Sequence, residues 1–167
     1  MRCDVDRSSL AMEGLMTRTL VVGFKGKNNA SRIMAEQVSS EHMLLTNSFA
    51  GLKKDIDSIS KEFDQVIMFG VDKTLISSVR IEEAAAVDKR KAVSDLDLEK
   101  IASALDNAGI QSVISKALTK YLCNEAYWHI LEKYSGRAVL IHIPTIRHVD
   151  ASFVEKMKSA LERLRIS

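Results

Sequence analysis

The chain has 167 residues, and 24 Lys and Arg against 22 Asp and Glu give a formal charge of +2. That length suits one domain of ordinary size, and the near-neutral balance provides no field favouring nucleic acid or an anionic membrane. Hydrophobic residues at 46% and charged ones at 28% exclude a disordered chain.

Residues 1–16 show no apolar period and lack the h-region of about 7–15 residues that a secretory signal needs, so they read as a poorly ordered leader. The domain is expected over 17–167. Thr19 to Phe24 is a β-branched apolar run closed around Gly23, a buried strand. Ile33, Met34 and Val38 mark a helix over 30–39, and His42 to Thr46 a second strand. Leu52, Ile56 and Ile59, with Phe63 beyond, mark a second helix, and Gln65 to Val71 the most apolar strand. Residues 75–82 alternate in part and predict another strand, whereas 84–94 is alanine and charge and predicts a loop or mobile segment. Ser94 to Asp97 starts a helix carrying Leu98, Ile101 and Leu105, which Gly109 stops. A short strand over 110–115, a helix over 118–134, a strand over 137–144 and a final amphipathic helix with Phe153, Met157 and Leu161 complete the order. Apolar strands alternating with helices predict an α/β fold, a three-layer α/β/α sandwich around a mostly parallel, mixed sheet.

In open α/β sheets, sites lie at the carboxyl ends of strands. That rule selects Gly23-Phe24, Gly70-Val71-Asp72 and His142-Ile143-Pro144, the last holding the chain's single proline. Cys123 falls near the start of a helix, where the macrodipole lowers a thiol pKa. A histidine at a strand end can take its proton and a carboxylate can orient the imidazole, with Glu82 in place for that role. Strand alternation lets only one of Glu82 and Glu83 face the histidine. His129 lies about 240° round the helix from Cys123, a poor partner, and His148 falls in a loop. Taken singly, a cysteine in an apolar helix is usually a small buried hydrophobe and a strand-end histidine a hydrogen-bonded structural residue.

Longer segments carry a resemblance. Tyr121-Leu122-Cys123-Asn124, followed by Glu125-Ala126-Tyr127-Trp128, resembles the nucleophile segment of the pyroglutamyl peptidase I (pyrrolidone-carboxylate peptidase) family of cysteine peptidases. Ile141-His142-Ile143-Pro144-Thr145 is similar to its histidine segment, and Val79-Arg80-Ile81-Glu82 to its glutamate segment. Gly23-Phe24 with Asn29-Ala30-Ser31 resembles its opening loop and the start of its first helix. The resemblance implies Cys123 as nucleophile, His142 as base and acid, Glu82 as the residue orienting the imidazole, and Phe24 and Ile143 as substrate-binding residues. It implies a cytoplasmic homo-oligomer that needs no cofactor and hydrolyses the amide after an N-terminal pyroglutamyl or related residue, its substrate a peptide with a blocked N-terminus.

The chain departs from the pattern in three places. Gly26-Lys27 stands where the family has a Pro-Phe pair, a residue other than glycine precedes Tyr121, and the stretch from Glu82 to Cys123 is short. These departures set a second expectation beside the first: a shortened, inactive or re-purposed relative acting as a binding or oligomerisation module. Two further classes are disfavoured by spacing. Gly23 to Asn28 lacks the spacing of a phosphate-binding GxxxxGK[ST] loop. Cys3, Cys123 and the four histidines form no metal-ligand cluster, and no CxxC pair supports a disulfide framework.

Overall fold

A computed structural model describes residues 17–60 and 62–165; the expectation for residues 1–16 lies outside them. The elements in chain order are β1 (Thr19–Phe24), α1 (Ala30–Val38), β2 (His42–Leu45), α2 (Phe49–Asp57), β3 (Gln65–Val71) and β4 (Ser78–Glu82). They continue with β5 (Ala84–Val87), β6 (Arg90–Val93), α3 (Leu98–Asn107), β7 (Gln111–Ser115), α4 (Tyr121–Lys133), β8 (Ala138–Ile143) and α5 (Ala151–Leu164).

Six strands form one sheet in the order β2-β1-β3-β8-β4-β7. Strands β2, β1, β3 and β8 run parallel; β4 pairs antiparallel with β8 and parallel with β7, so the sheet is mixed. Strand alternation divides its side chains between two layers. Val21, Ile67, Phe69, Ile81, Val139, Ile141 and Ile143 pack against α1, α3 and α5 on one face. Leu20, Val22, Phe24, Met68 and Leu140 pack against α2 and α4 on the other. The α/β/α sandwich follows from strands apolar on both faces, which only helices on both sides can cover.

Short polar residues begin four of the five helices. Asn29, Ser48, Asp97 and Asp150 each accept a backbone N–H of the first turn, a cap worth about 1 kcal/mol. Helix α4 differs: its cap residue Lys120 makes no side-chain cap hydrogen bond. Helix α2 stops at Asp57, short of Ile59 and Phe63, because Lys133 of α4 donates to the carbonyls of Ile56 and Ile59 at 2.7 and 2.6 Å and so closes its last turn. Strand β4 is also shorter than its pattern predicts, beginning at Ser78.

The clearest correction to the sequence reading is at 84–94, which is not a loop. Strands β5 and β6 form an antiparallel hairpin, with Asp88 and Lys89 at φ 49° and 65°, the left-handed pair of a tight hairpin turn. Alanine has little strand preference of its own; here Ala85 and Ala92 lie flat against α4, and their smallness permits the contact. Asn124 fixes the docking by donating to the carbonyl of Ala86 at 2.7 Å and accepting its N–H at 3.1 Å.

Gly23 marks the closest approach of β1 to α1. A Cβ there would lie 2.4 Å from the backbone oxygen of Ser31, inside any van der Waals contact. Gly23→Ala is expected to lower stability by about 2–3 kcal/mol through backbone displacement, seen in urea denaturation as a lower midpoint with an unchanged slope.

Candidate active site

Residues 80, 82 and 142 share a sheet face for a simple reason. Val79 and Ile81 of β4 pack into the α1/α3/α5 layer, so Arg80 and Glu82 point to the α4 side. On β8, Ile141 and Ile143 belong to the first layer, and His142 between them points to α4 as well. In the antiparallel register Arg80 lies directly opposite His142, and Glu82 opposite Leu140. The Glu82 carboxylate therefore reaches diagonally back to the imidazole. Its Oε1 lies 2.7 Å from His142 Nδ1, with the two residues 1% and 3% exposed. A carboxylate can only accept, so Nδ1 carries the proton and Nε2 is left as the acceptor.

Helix α4 brings the thiol into the space that this nitrogen faces. Cys123 stands in its first turn, over Gly70 of β3, which is paired in register with His142. A Cβ on Gly70 would lie 3.0 Å from Cys123 Sγ and 3.1 Å from His142 Nε2. Sulfur and ring nitrogen therefore converge on one small space that only a glycine leaves open. Four residues further along the same helix face, the Tyr127 hydroxyl donates to the Glu82 carbonyl at 2.8 Å, so α4 anchors both ends of the arrangement.

The electrostatics run against the expectation drawn from the helix N-terminus. Burial pushes the Cys123 thiol up, the Glu82 charge adds to it, and a hydrogen bond from the Val71 backbone amide offsets only part, leaving it at about 11. The low dielectric and the nearby Glu82 and Asp72 carboxylates set this direction.

Two further charged groups join the site. Arg80 donates through Nε to Glu82 Oε1 at 2.6 Å and through Nη1 to Asp72 Oδ2 at 2.7 Å. Burial raises the Asp72 carboxyl, but hydrogen bonds from Thr74 and Arg80 outweigh it and hold it down at about 2. Asp72, Arg80, Cys123 and His142 face a cleft of about 540 Å³ whose other wall is Leu118 to Leu122. At the entry to α4, Lys120 is extended at φ −129°, so nothing in its backbone requires glycine there; the left-handed residue is Tyr121 at φ 60°. Tyr121 is 82% exposed at the cleft rim.

Among the residues expected at a site, the fold brings Cys123, His142 and Glu82 together. It does not bring Phe24 and Ile143 to the cleft. Phe24 packs among Leu45, Leu52 and Met68, and Ile143 is fully buried on the opposite sheet face, because alternation turns it away from its neighbour His142. His129 pairs with Glu125 at 3.4 Å one turn back, and His148 is exposed in a 3-10 turn. The Gly26-Lys27 segment folds onto α1, where Arg32 donates to the carbonyls of both residues. No His, Cys, Asp and Glu group among the described residues could hold a metal ion. No helix among them is long and apolar enough to cross a membrane. The strand-end rule selects Gly70 and Asp72 but gives neither a role, and the sequence reading misses Arg80 and Tyr127 as parts of the site. Arg80 had a usable signal, since it shares the face of Glu82 at a spacing of two.

No protein-family model matches the chain, and no curated protein matches it in sequence. Solved structures do match. The pyrrolidone carboxyl peptidase of Thermococcus litoralis is 20% identical over 88% of this chain and 92% of its own, with a TM-score of 0.68. That of Pyrococcus furiosus is 20% identical over 87% and 96%, with a TM-score of 0.71. The chain is similar in fold to the pyrrolidone carboxyl peptidases. At this identity the likeness shows the fold, and the chemistry is argued from the residues themselves.

Gly70→Ala tests the convergence. The added methyl displaces Sγ or the imidazole, so Cys123 is expected to react with iodoacetamide about tenfold more slowly at neutral pH, with circular dichroism unchanged.

Proposed function

We propose that the chain is a cysteine peptidase that removes an N-terminal pyroglutamyl or closely related residue from peptides. The observation that carries this reading is the convergence of Cys123 Sγ and His142 Nε2 over Gly70, with His142 Nδ1 held by Glu82 at 2.7 Å. It is the order nucleophile, base and orienting acid that thiol-dependent acyl transfer requires. The fold shared with the pyrrolidone carboxyl peptidases supports the substrate class.

With its pKa at about 11, the resting thiol keeps its proton at neutral pH. Attack on the substrate carbonyl therefore moves that proton from Sγ to Nε2 as the S–C bond forms. The developing imidazolium is stabilised by Glu82 through Nδ1–H. The uncapped first-turn amides of α4 supply donors for the oxyanion. Collapse breaks the C–N bond, Nε2 returns the proton to the leaving amine, and a thioester remains on Cys123. Water, deprotonated by Nε2, then cleaves the thioester and restores the thiol. With Phe24 in the core, the acyl group is seated by the wall from Leu118 to Leu122 rather than by an aromatic of the first loop.

A second reading, a binding or oligomerisation module without activity, draws on the raised thiol. Hydrolysis of a fluorogenic pyroglutamyl amide separates the two. The peptidase reading expects turnover that falls by about 10³-fold or more in Cys123→Ser and His142→Ala and by about 10²–10⁴-fold in Glu82→Gln. No turnover with any blocked aminoacyl amide, together with no alkylation of Cys123 at neutral pH, leaves the module. The thiol also has a pH signature: without the base, in His142→Ala, alkylation should rise about tenfold per pH unit toward about 11, because thiolate alone then reacts.

A further inference from the structure

The three residues of the proposed mechanism leave Asp72 and Arg80 unexplained. Both are partly buried at the cleft floor, and both contact the His142–Glu82 pair or its partner. The charged and titratable groups around His142 are Glu82 and Arg80 from β4, Asp72 just beyond β3 and the Cys123 thiol from α4, with Lys73, Lys120 and Tyr121 lining the same cleft.

Arg80 acts on the pair in two opposed ways. Its Nε shares Oε1 of Glu82 with His142 Nδ1, at 2.6 and 2.7 Å, and so fixes the carboxylate in the orientation the imidazole needs. Its Nη2 lies 3.4 Å from the same Nδ1. That contact is not a useful hydrogen bond, because Nδ1 already carries the proton it gives to Glu82 and offers no lone pair. What remains is a guanidinium charge beside a ring that must become cationic when it takes the thiol proton. Paired with Glu82 alone, Arg80 would cancel the negative charge that stabilises the imidazolium. Asp72 changes the balance: it holds Nη1 at 2.7 Å, so two carboxylates face one guanidinium and the cluster keeps one net negative charge.

We propose that Asp72 is a positioning residue that lets Arg80 fix Glu82 without the guanidinium charge opposing protonation of His142. The inference rests on the reading of Cys123, His142 and Glu82 as nucleophile, base and orienting acid. Asp72 touches neither the thiol nor a reacting atom in this scheme; its charge adds a little to the upward push on the Cys123 thiol, and its positioning effect runs through Arg80. The fork geometry of arginine suits the role, since one planar group must meet two carboxylates at fixed angles.

The test is a charge cycle read by alkylation of Cys123 with iodoacetamide at neutral pH, where His142 Nε2 takes the thiol proton and Sγ displaces iodide from carbon. Wild type, Asp72→Asn, Arg80→Gln and the double variant are compared, with His142→Ala as the control that reports the base. Asp72→Asn leaves the guanidinium uncompensated and is expected to slow alkylation about tenfold or more, the scale of one opposing charge on a titrating neighbour. Arg80→Gln takes the cluster from one net negative charge to two while losing the contact that fixes Glu82, and is expected to slow it less. The decisive expectation is recovery: the double variant should react faster than Asp72→Asn alone, which lost packing cannot produce. Thermal unfolding of each variant identifies any that fails to fold, and Arg80→Gln with the double variant still decides the order if Asp72→Asn does. Additive losses, or Asp72→Asn equal to wild type while His142→Ala is slowed, overturn the role of Asp72 and leave the peptidase reading standing. A rate unchanged in His142→Ala overturns both, because there is then no base for Asp72 to act through.

Discussion

The arrangement depends on one buried charge. Glu82 is 1% exposed, and an isolated carboxylate in such a place would be expelled or neutralised at a cost of several kcal/mol. It is kept by two donors on the same oxygen, Arg80 Nε and His142 Nδ1. Each is there because of a sheet property. Alternation along β4 aligns residues 80 and 82 on one face, and the antiparallel β4–β8 register sets residue 80 across from residue 142. Had β4 run parallel to β8 like the rest of the central strands, its carboxyl end would point to the rim of the cleft. Antiparallel, it points inward, which makes Glu82 so thoroughly buried and its pairing obligatory.

The same burial sets the character of the thiol. A cysteine in the first turn of a helix is commonly read as a ready thiolate, but that holds only where water or a cation supports the charge. Cys123 packs against the α2/α4 core beside Glu82, and its nearest supporting donor is the Val71 amide. Cys123 is therefore held as a thiol, and the proposed mechanism needs its base in place before attack. That requirement explains why Gly70 sits under both atoms: any side chain there would separate them.

The fold class was legible in the sequence because its signals are local. Runs such as Thr19–Phe24 and Gln65–Val71 are apolar on both faces, and Asn29, Ser48, Asp97 and Asp150 are helix-starting residues. The hairpin at 84–93 was not, because its strands are held by docking on α4 and by Asn124, contacts made 38 residues away in sequence. Cys123, His142 and Glu82 could be singled out from strand ends, a helix start and a resemblance of short segments. The roles of their surroundings could not. That Arg80 bridges Asp72 and Glu82 depends on the β4–β8 register and on where the chain turns after β3, and no single-strand pattern contains either. The parity that selects His142 also removes Ile143 from the site, a consequence that alternation alone would have supplied.

On the proposed reading, what the cleft accepts is governed by the segment leading into α4 and not by the loop after β1. The opening loop after β1 is tied down: Phe24 lies in the core and Arg32 engages the carbonyls of Gly26 and Lys27. The segment leading into α4 is the opposite case. Leu118 is 46% and Tyr121 82% exposed, and Tyr121 takes a left-handed backbone that a non-glycine residue adopts at a cost of about 1–3 kcal/mol. Backbone strain of this kind persists only where neighbouring structure imposes it. Here the turn delivers Cys123, two residues later, over Gly70 and leaves the tyrosine ring at the mouth. The strand-borne groups, Arg80, Glu82 and His142, are fixed by the sheet. On the proposed reading, selectivity therefore resides in the 118–122 wall, next to the thiol, so a change in that wall would alter which carbonyl reaches Cys123 without disturbing the buried carboxylate behind His142.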